Sequence, residues 1–104
     1  MARPYSQQFL LELHRNESNS LGVRLARLCV NANLPATYVA VALETTRTTV
    51  YSWFRGQGIR ESKHNLIQTF IELVETDMAS GVLPARTTLD AKRYIEQMIG
   101  SKLN

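Results

Sequence analysis

A chain of 104 residues and 11.8 kDa, 44% hydrophobic and 20% charged, has room for one ordinary domain. Only five Gly and three Pro exclude a collagen-like or low-complexity chain, and the longest apolar run, residues 38–43, is far short of the roughly 20 residues that span a membrane. The net charge of +3 is mild, but residues 21–60 carry five Arg and no Lys against the single acid Glu44, a distribution suited to phosphate. The lone Cys29 and the separated His14 and His64 form neither a disulfide framework nor a zinc spacing. The first eight residues lack an apolar leader core, so the expected location is the cytoplasm.

Helical periodicity recurs along the chain, and no β alternation of useful length interrupts it. Ser6 caps a short helix carrying Phe9, Leu10 and Leu13. Ser20 caps a second, with Leu21, Leu25, Leu28 and Ala32 as one apolar stripe and Asn33 as its left-handed terminus. Pro35 suits the first turn of a two-turn helix burying Val39, Ala40 and Leu43. Thr46 caps the next, which buries Val50 and Trp53 and stops at Gly56 or Gly58. A longer helix carries Leu66, Ile67, Phe70, Ile71, Leu73, Val74 and Met78 and ends at Gly81. After the connector 82–84, Thr87 with Asp90 resembles a capping box, and a last helix carries Ala91, Tyr94, Ile95, Met98 and Ile99.

The informative stretch is residues 34–56: two short helices joined by a tight turn. With Val50 and Trp53 buried, the second helix exposes Arg47, Thr48, Tyr51 and Ser52, with Arg55 near its end. These are hydrogen-bonding groups rather than the Glu/Lys mixture of a solubilising face. Arg disfavoured by the dipole at a helix start points to a use for Arg47. Such a helix fits the DNA major groove, where Arg pairs with guanine O6 and N7 and Thr meets a base edge or a thymine methyl.

Residues 21–73 resemble the helix-turn-helix of the Cro and phage-repressor family, the Xre-like or lambda-repressor-like regulators. Leu21-Gly22-Val23-Arg24-Leu25 is similar to the family's opening helix, and Val39-Ala40 stands for its Leu-Ala. Thr46-Arg47-Thr48-Thr49-Val50 looks like the start of its recognition helix, and Trp53-Phe54-Arg55-Gly56 is similar to the Trp-Glu-Arg-Gly that ends it. Three positions depart from the pattern. Pro35 and Ala36 replace a Ser/Thr-Gln pair whose Gln grips phosphate, Glu44 replaces the turn glycine, and Phe54 replaces a polar residue.

The reading is an all-α domain of five or six helices covering residues 1–104, with a helix-turn-helix core at about 21–73 and a helical extension at about 82–104. The resemblance implies a small transcriptional regulator, a repressor of phage or mobile-element type, that binds double-stranded DNA by sequence. Arg47, Thr48, Tyr51 and Ser52 are the expected base readers. Thr46, Arg55, Arg24 and Arg60 are the expected phosphate contacts. A homodimer is expected through Tyr94, Ile95, Met98 and Ile99, because two half-sites give a helix-turn-helix its affinity. No cofactor, metal, membrane or small-molecule effector is expected, and no catalytic motif marks an enzyme. The alternative is a phage-type assembly or interaction protein that uses the same helices to bind a protein, or DNA without sequence preference.

Overall fold

The computed structural model describes residues 4–101 and contains six α-helices: α1 (Gln7–Arg15), α2 (Leu21–Asn31), α3 (Ala36–Ala42), α4 (Arg47–Phe54), α5 (Glu61–Ala79) and α6 (Thr88–Ser101). The fold is all-α, with no strand among the described residues. None of these helices is long and apolar enough to cross a membrane.

Local hydrogen bonds explain where the helices begin. The side-chain oxygens of Ser6, Ser20, Thr46 and Thr87 accept from the backbone N–H three residues on, at 3.1, 3.4, 3.1 and 3.0 Å. Each satisfies a donor that the first turn leaves open. Pro35 precedes α3 rather than lying inside it: its φ of −61° and ψ of 145° make it the cap, with no side-chain hydrogen bond.

Three consecutive helices end alike. Asn33, Glu44 and Gly56 have φ of 60°, 55° and 96°. After each, the next N–H reaches back five residues, Leu34 to Cys29, Thr45 to Ala40 and Gln57 to Ser52, at 2.9, 3.0 and 3.2 Å. This closure satisfies carbonyls that a helix end leaves bare. Asn33 is the left-handed residue that the sequence marks. Glu44 holds the same conformation without glycine's freedom, at a cost of roughly 1 kcal/mol. Lys63 of α5 supports that turn, its Nζ donating to the carbonyls of Leu43 at 2.9 Å and Glu44 at 3.1 Å. A cation at a helix C-terminus is favourable.

α4 packs against α2 and α3, α2 against α5, and α3 against α6. The crossing of α2 and α4 needs Gly22: a Cβ there would sit 2.1 Å from the Trp53 carbonyl oxygen. The expected Leu stripe of α2 is displaced. Leu25 and Ala32 are buried, but Leu21 and Leu28 are half-buried, while Val23, Ala26 and Cys29 fill the core. Two close neighbours, α4 and α5, widen the buried face beyond a single line. Burial pushes the Cys29 thiol well above its ordinary pKa, so it is a small core residue without thiolate character.

At the far end of α5 the buried face runs through Ile67, Phe70, Ile71 and Val74 and continues to Asp77, with Met78 only half-buried. The carboxylate is tolerated there because the Tyr94 hydroxyl of α6 donates to Asp77 Oδ2 at 2.5 Å. Ala85 N–H donates to the Ala32 carbonyl at 3.0 Å, and Asn33 Nδ2 donates to the Ala85 carbonyl at 2.7 Å. These bonds seat the connector against the end of α2 and aim α6 across α3.

That placement corrects the expected pairing face. Ile95 and Met98 are each 2% exposed within one chain, and Ala91 beside them is fully buried. They fill the chain's own core. Tyr94 is half-buried and engaged with Asp77, and Ile99 is half-buried. The outer face of α6 carries Lys92, Arg93, Glu96 and Gln97, a polar surface rather than an apolar seam.

Candidate nucleic-acid interface

α4 is held from beneath by Val50, Trp53 and Phe54, all buried. Trp53 is a core residue, 5% exposed, as its position on the helix implies. Phe54, the departure from the family pattern, is explained by α1. Its ring lies 5.9 Å from that of Phe9 and 6.1 Å from that of Tyr5. Tyr51 completes the cluster, edge-on to Phe9 at 5.4 Å and to Phe54 at 5.8 Å. Edge-to-face pairs at such separations add stability beyond the area they bury. Tyr5 anchors the segment: its hydroxyl donates to the Leu34 carbonyl at 2.5 Å, and burial pushes its phenol pKa well up.

α1 therefore lies alongside α4, and the two form the walls of an open groove of about 550 Å³. One wall is Arg47, Thr48, Tyr51 and Arg55; the other includes Ser6, Gln8 and Glu12. The spacing 47, 48, 51, 55 puts the first wall on one helical face. The Tyr51 ring organises the cations. The Arg47 guanidinium carbon lies 5.1 Å from its centroid and that of Arg55 lies 5.9 Å away. Cation–π contacts at an exposed site contribute roughly 0.5–1 kcal/mol, enough to bias two long side chains toward one arrangement. Among the described residues neither guanidinium has an ion-pair partner.

The predicted site residues separate into groups. Arg47, Thr48, Tyr51 and Arg55 come together on the groove wall. Ser52 is half-buried, and its hydroxyl donates to Gln57 Oε1, holding the loop after α4. Thr46 spends its hydroxyl on capping: it accepts from Thr49 N–H and donates to Thr49 Oγ1 at 3.0 Å. Arg24 and Arg60 are exposed on α2 and before α5, outside the groove. Arg27 is structural. Its Nη1 and Nη2 donate to the Ser18 and Asn16 carbonyls at 3.2 and 2.5 Å, bracing the connection between α1 and α2.

Sequence reasoning missed the α1 wall. The signal available was Phe54, an aromatic where the resembled pattern has a polar residue and so one that needed a cover, together with Phe9 on a preceding amphipathic helix. Among the described residues no group of three His, Cys, Asp or Glu side chains could hold a metal ion. No family model, curated protein or solved structure matches this chain.

Proposed function

We propose that α3 and α4 form a helix-turn-helix and that the chain binds double-stranded DNA by sequence as a small transcriptional regulator. One observation carries the reading. Arg47, Thr48, Tyr51 and Arg55 share one exposed face of a short, firmly seated helix that has no carboxylate of its own. An ordinary solvated face mixes such cations with carboxylates, as α6 does with Lys92, Arg93 and Glu96. Here the cations and hydroxyl remain available for an external acceptor-rich surface. In this reading α4 enters the major groove, Arg47 and Thr48 read base edges, and Arg55 holds a phosphate and sets register. Tyr51 braces both arginines while its edge stays half-exposed. Should a second copy occupy an adjacent half-site, the pairing surface is one other than Ile95 and Met98.

Selection from random-sequence duplexes tests the reading. The expected result is an enriched motif bound more tightly than its scrambled form. Arg47→Ala should cost about 1–3 kcal/mol on the motif and relax preference at one base pair. Arg55→Ala should weaken all duplexes alike and lower the salt slope by about one unit. Absence of enrichment, or equal loss on motif and scrambled duplex from Arg47→Ala, overturns base reading and favours the assembly or interaction protein.

A further inference from the structure

The groove between α1 and α4 has two walls, and DNA reading by α4 uses only one. The major groove is about 12 Å wide and admits a single helix, whose own diameter is about 10–12 Å. α1 cannot follow α4 into it. The aromatic cluster of Tyr5, Phe9, Tyr51 and Phe54 nevertheless holds α1 beside α4. With α4 in the major groove, α1 must lie outside it, across the sugar-phosphate strand that forms its border. The trench between them then faces that strand.

We propose that this trench is a second DNA contact, a saddle that takes one sugar-phosphate strand between α1 and α4. The inference rests on the DNA-binding reading above. A base edge is read by a convex helix; a concave trench takes a convex ridge, and the backbone is the ridge of a duplex. The chemistry of the walls agrees. On the α4 wall Arg55 is the phosphate contact, eight residues or about 12 Å along the helix axis from Arg47, which keeps to the base edges. Facing them, Gln8 supplies an amide donor and Ser6 a hydroxyl, both exposed. Glu12 is the one carboxylate on the walls, and it accepts from Gln8 Nε2 at 3.4 Å. It opposes a phosphate, so the saddle predicts a site where removing a charge improves binding. A single chain thereby gains contacts on both sides of a strand, beyond those of α4 alone.

The test uses gain of affinity, which a misfolded variant cannot imitate. Wild type, Glu12→Gln, Gln8→Lys and the charge-matched control Glu75→Gln, on α5 outside the groove, are titrated with one duplex across a salt series. Glu12→Gln should bind severalfold more tightly than Glu75→Gln, and Gln8→Lys should steepen the salt slope by about one unit for the added phosphate contact. If wild type binds the duplex but Glu12→Gln and Gln8→Lys behave as Glu75→Gln does, the saddle is overturned while the reading of α4 stands. If wild type binds no duplex, both fall, and direct binding of an acidic peptide that Glu12→Gln strengthens would favour the interaction protein instead.

Discussion

Helices α4 and α6 look alike in sequence and are used in opposite ways. Both are amphipathic, α4 over 8 residues and α6 over 14, and each carries a tyrosine among its apolar residues. α6 spends its apolar residues inside the chain: Ala91, Ile95 and Met98 are buried where it packs on α3, Tyr94 is tied to Asp77, and the outward face mixes cations with Glu96. α4 is equally anchored through Val50, Trp53 and Phe54, yet its outward face carries Arg47, Arg55 and a threonine hydroxyl, and the helix has no carboxylate of its own. The contrast teaches that an apolar stripe says little about partners, because an internal neighbour consumes it first. An outward face that carries cations and hydroxyls without a carboxylate among them is the better pointer to something outside.

The comparison breaks most visibly through Ile95. If α6 is core, Ile95→Ala should cost about 2–5 kcal/mol in urea denaturation, with the mass in light scattering unchanged from wild type. A stable variant whose oligomer dissociates would return α6 to the role of a pairing helix.

The next effect sharpens the α4 side. Gly22→Ala would ordinarily favour a helix by up to about 1 kcal/mol, but a Cβ 2.1 Å from a backbone oxygen of Trp53 must push the two helices apart. The expected result is destabilisation of about 3 kcal/mol, at the high end of overpacking. Gly100 of α6 has nothing within 4 Å of its Cβ position, so Gly100→Ala should be neutral or slightly stabilising. Equal responses at the two glycines would contradict the close crossing of α2 and α4.

Tyr94→Phe removes one donor from Asp77 and should cost about 1–2 kcal/mol. The same pair sets a pH dependence. Burial first, then the hydrogen bond and charge of Asp77, push the Tyr94 phenol above its ordinary value. The folded state then holds that proton more tightly than the unfolded state. Its contribution is complete below about pH 10 and is lost as pH rises beyond it. Buried Tyr5 acts in the same direction, and Cys29 begins to do so above about pH 8.5. Urea midpoints should be flat from pH 7 to about 8.5 and fall above it, less steeply near pH 11 in Tyr94→Phe.

The smallest stability effects separate the two outward faces. Arg93→Ala on α6 and Thr48→Ala on α4 should each stay within about 0.5 kcal/mol of wild type in unfolding. Only Thr48→Ala should weaken binding to a selected duplex. Parallel behaviour in the binding assay would remove the distinction between the faces.

What the sequence by itself determined is local. Helix starts at Ser6, Ser20, Thr46 and Thr87, the left-handed Asn33, the helix content and the core role of Trp53 follow from groups three to five residues apart, whose geometry any helix imposes. Arg47, Thr48, Tyr51 and Arg55 were legible for the same reason, since burying Val50 and Trp53 turns them outward together. The tertiary structure decided what no local rule contains. It joined Tyr5 to Leu34 across 29 residues, Lys63 to the turn at Leu43 and Glu44 across about twenty, and Tyr94 to Asp77 across 17. It laid α1 beside α4, so that Phe54 found a cover and the candidate site gained its second wall. It also gave the stripe of α6 to α3 rather than to another chain. An amphipathic pattern states that a face must be buried, and only the competition among all the other faces for the same limited core settles against which one.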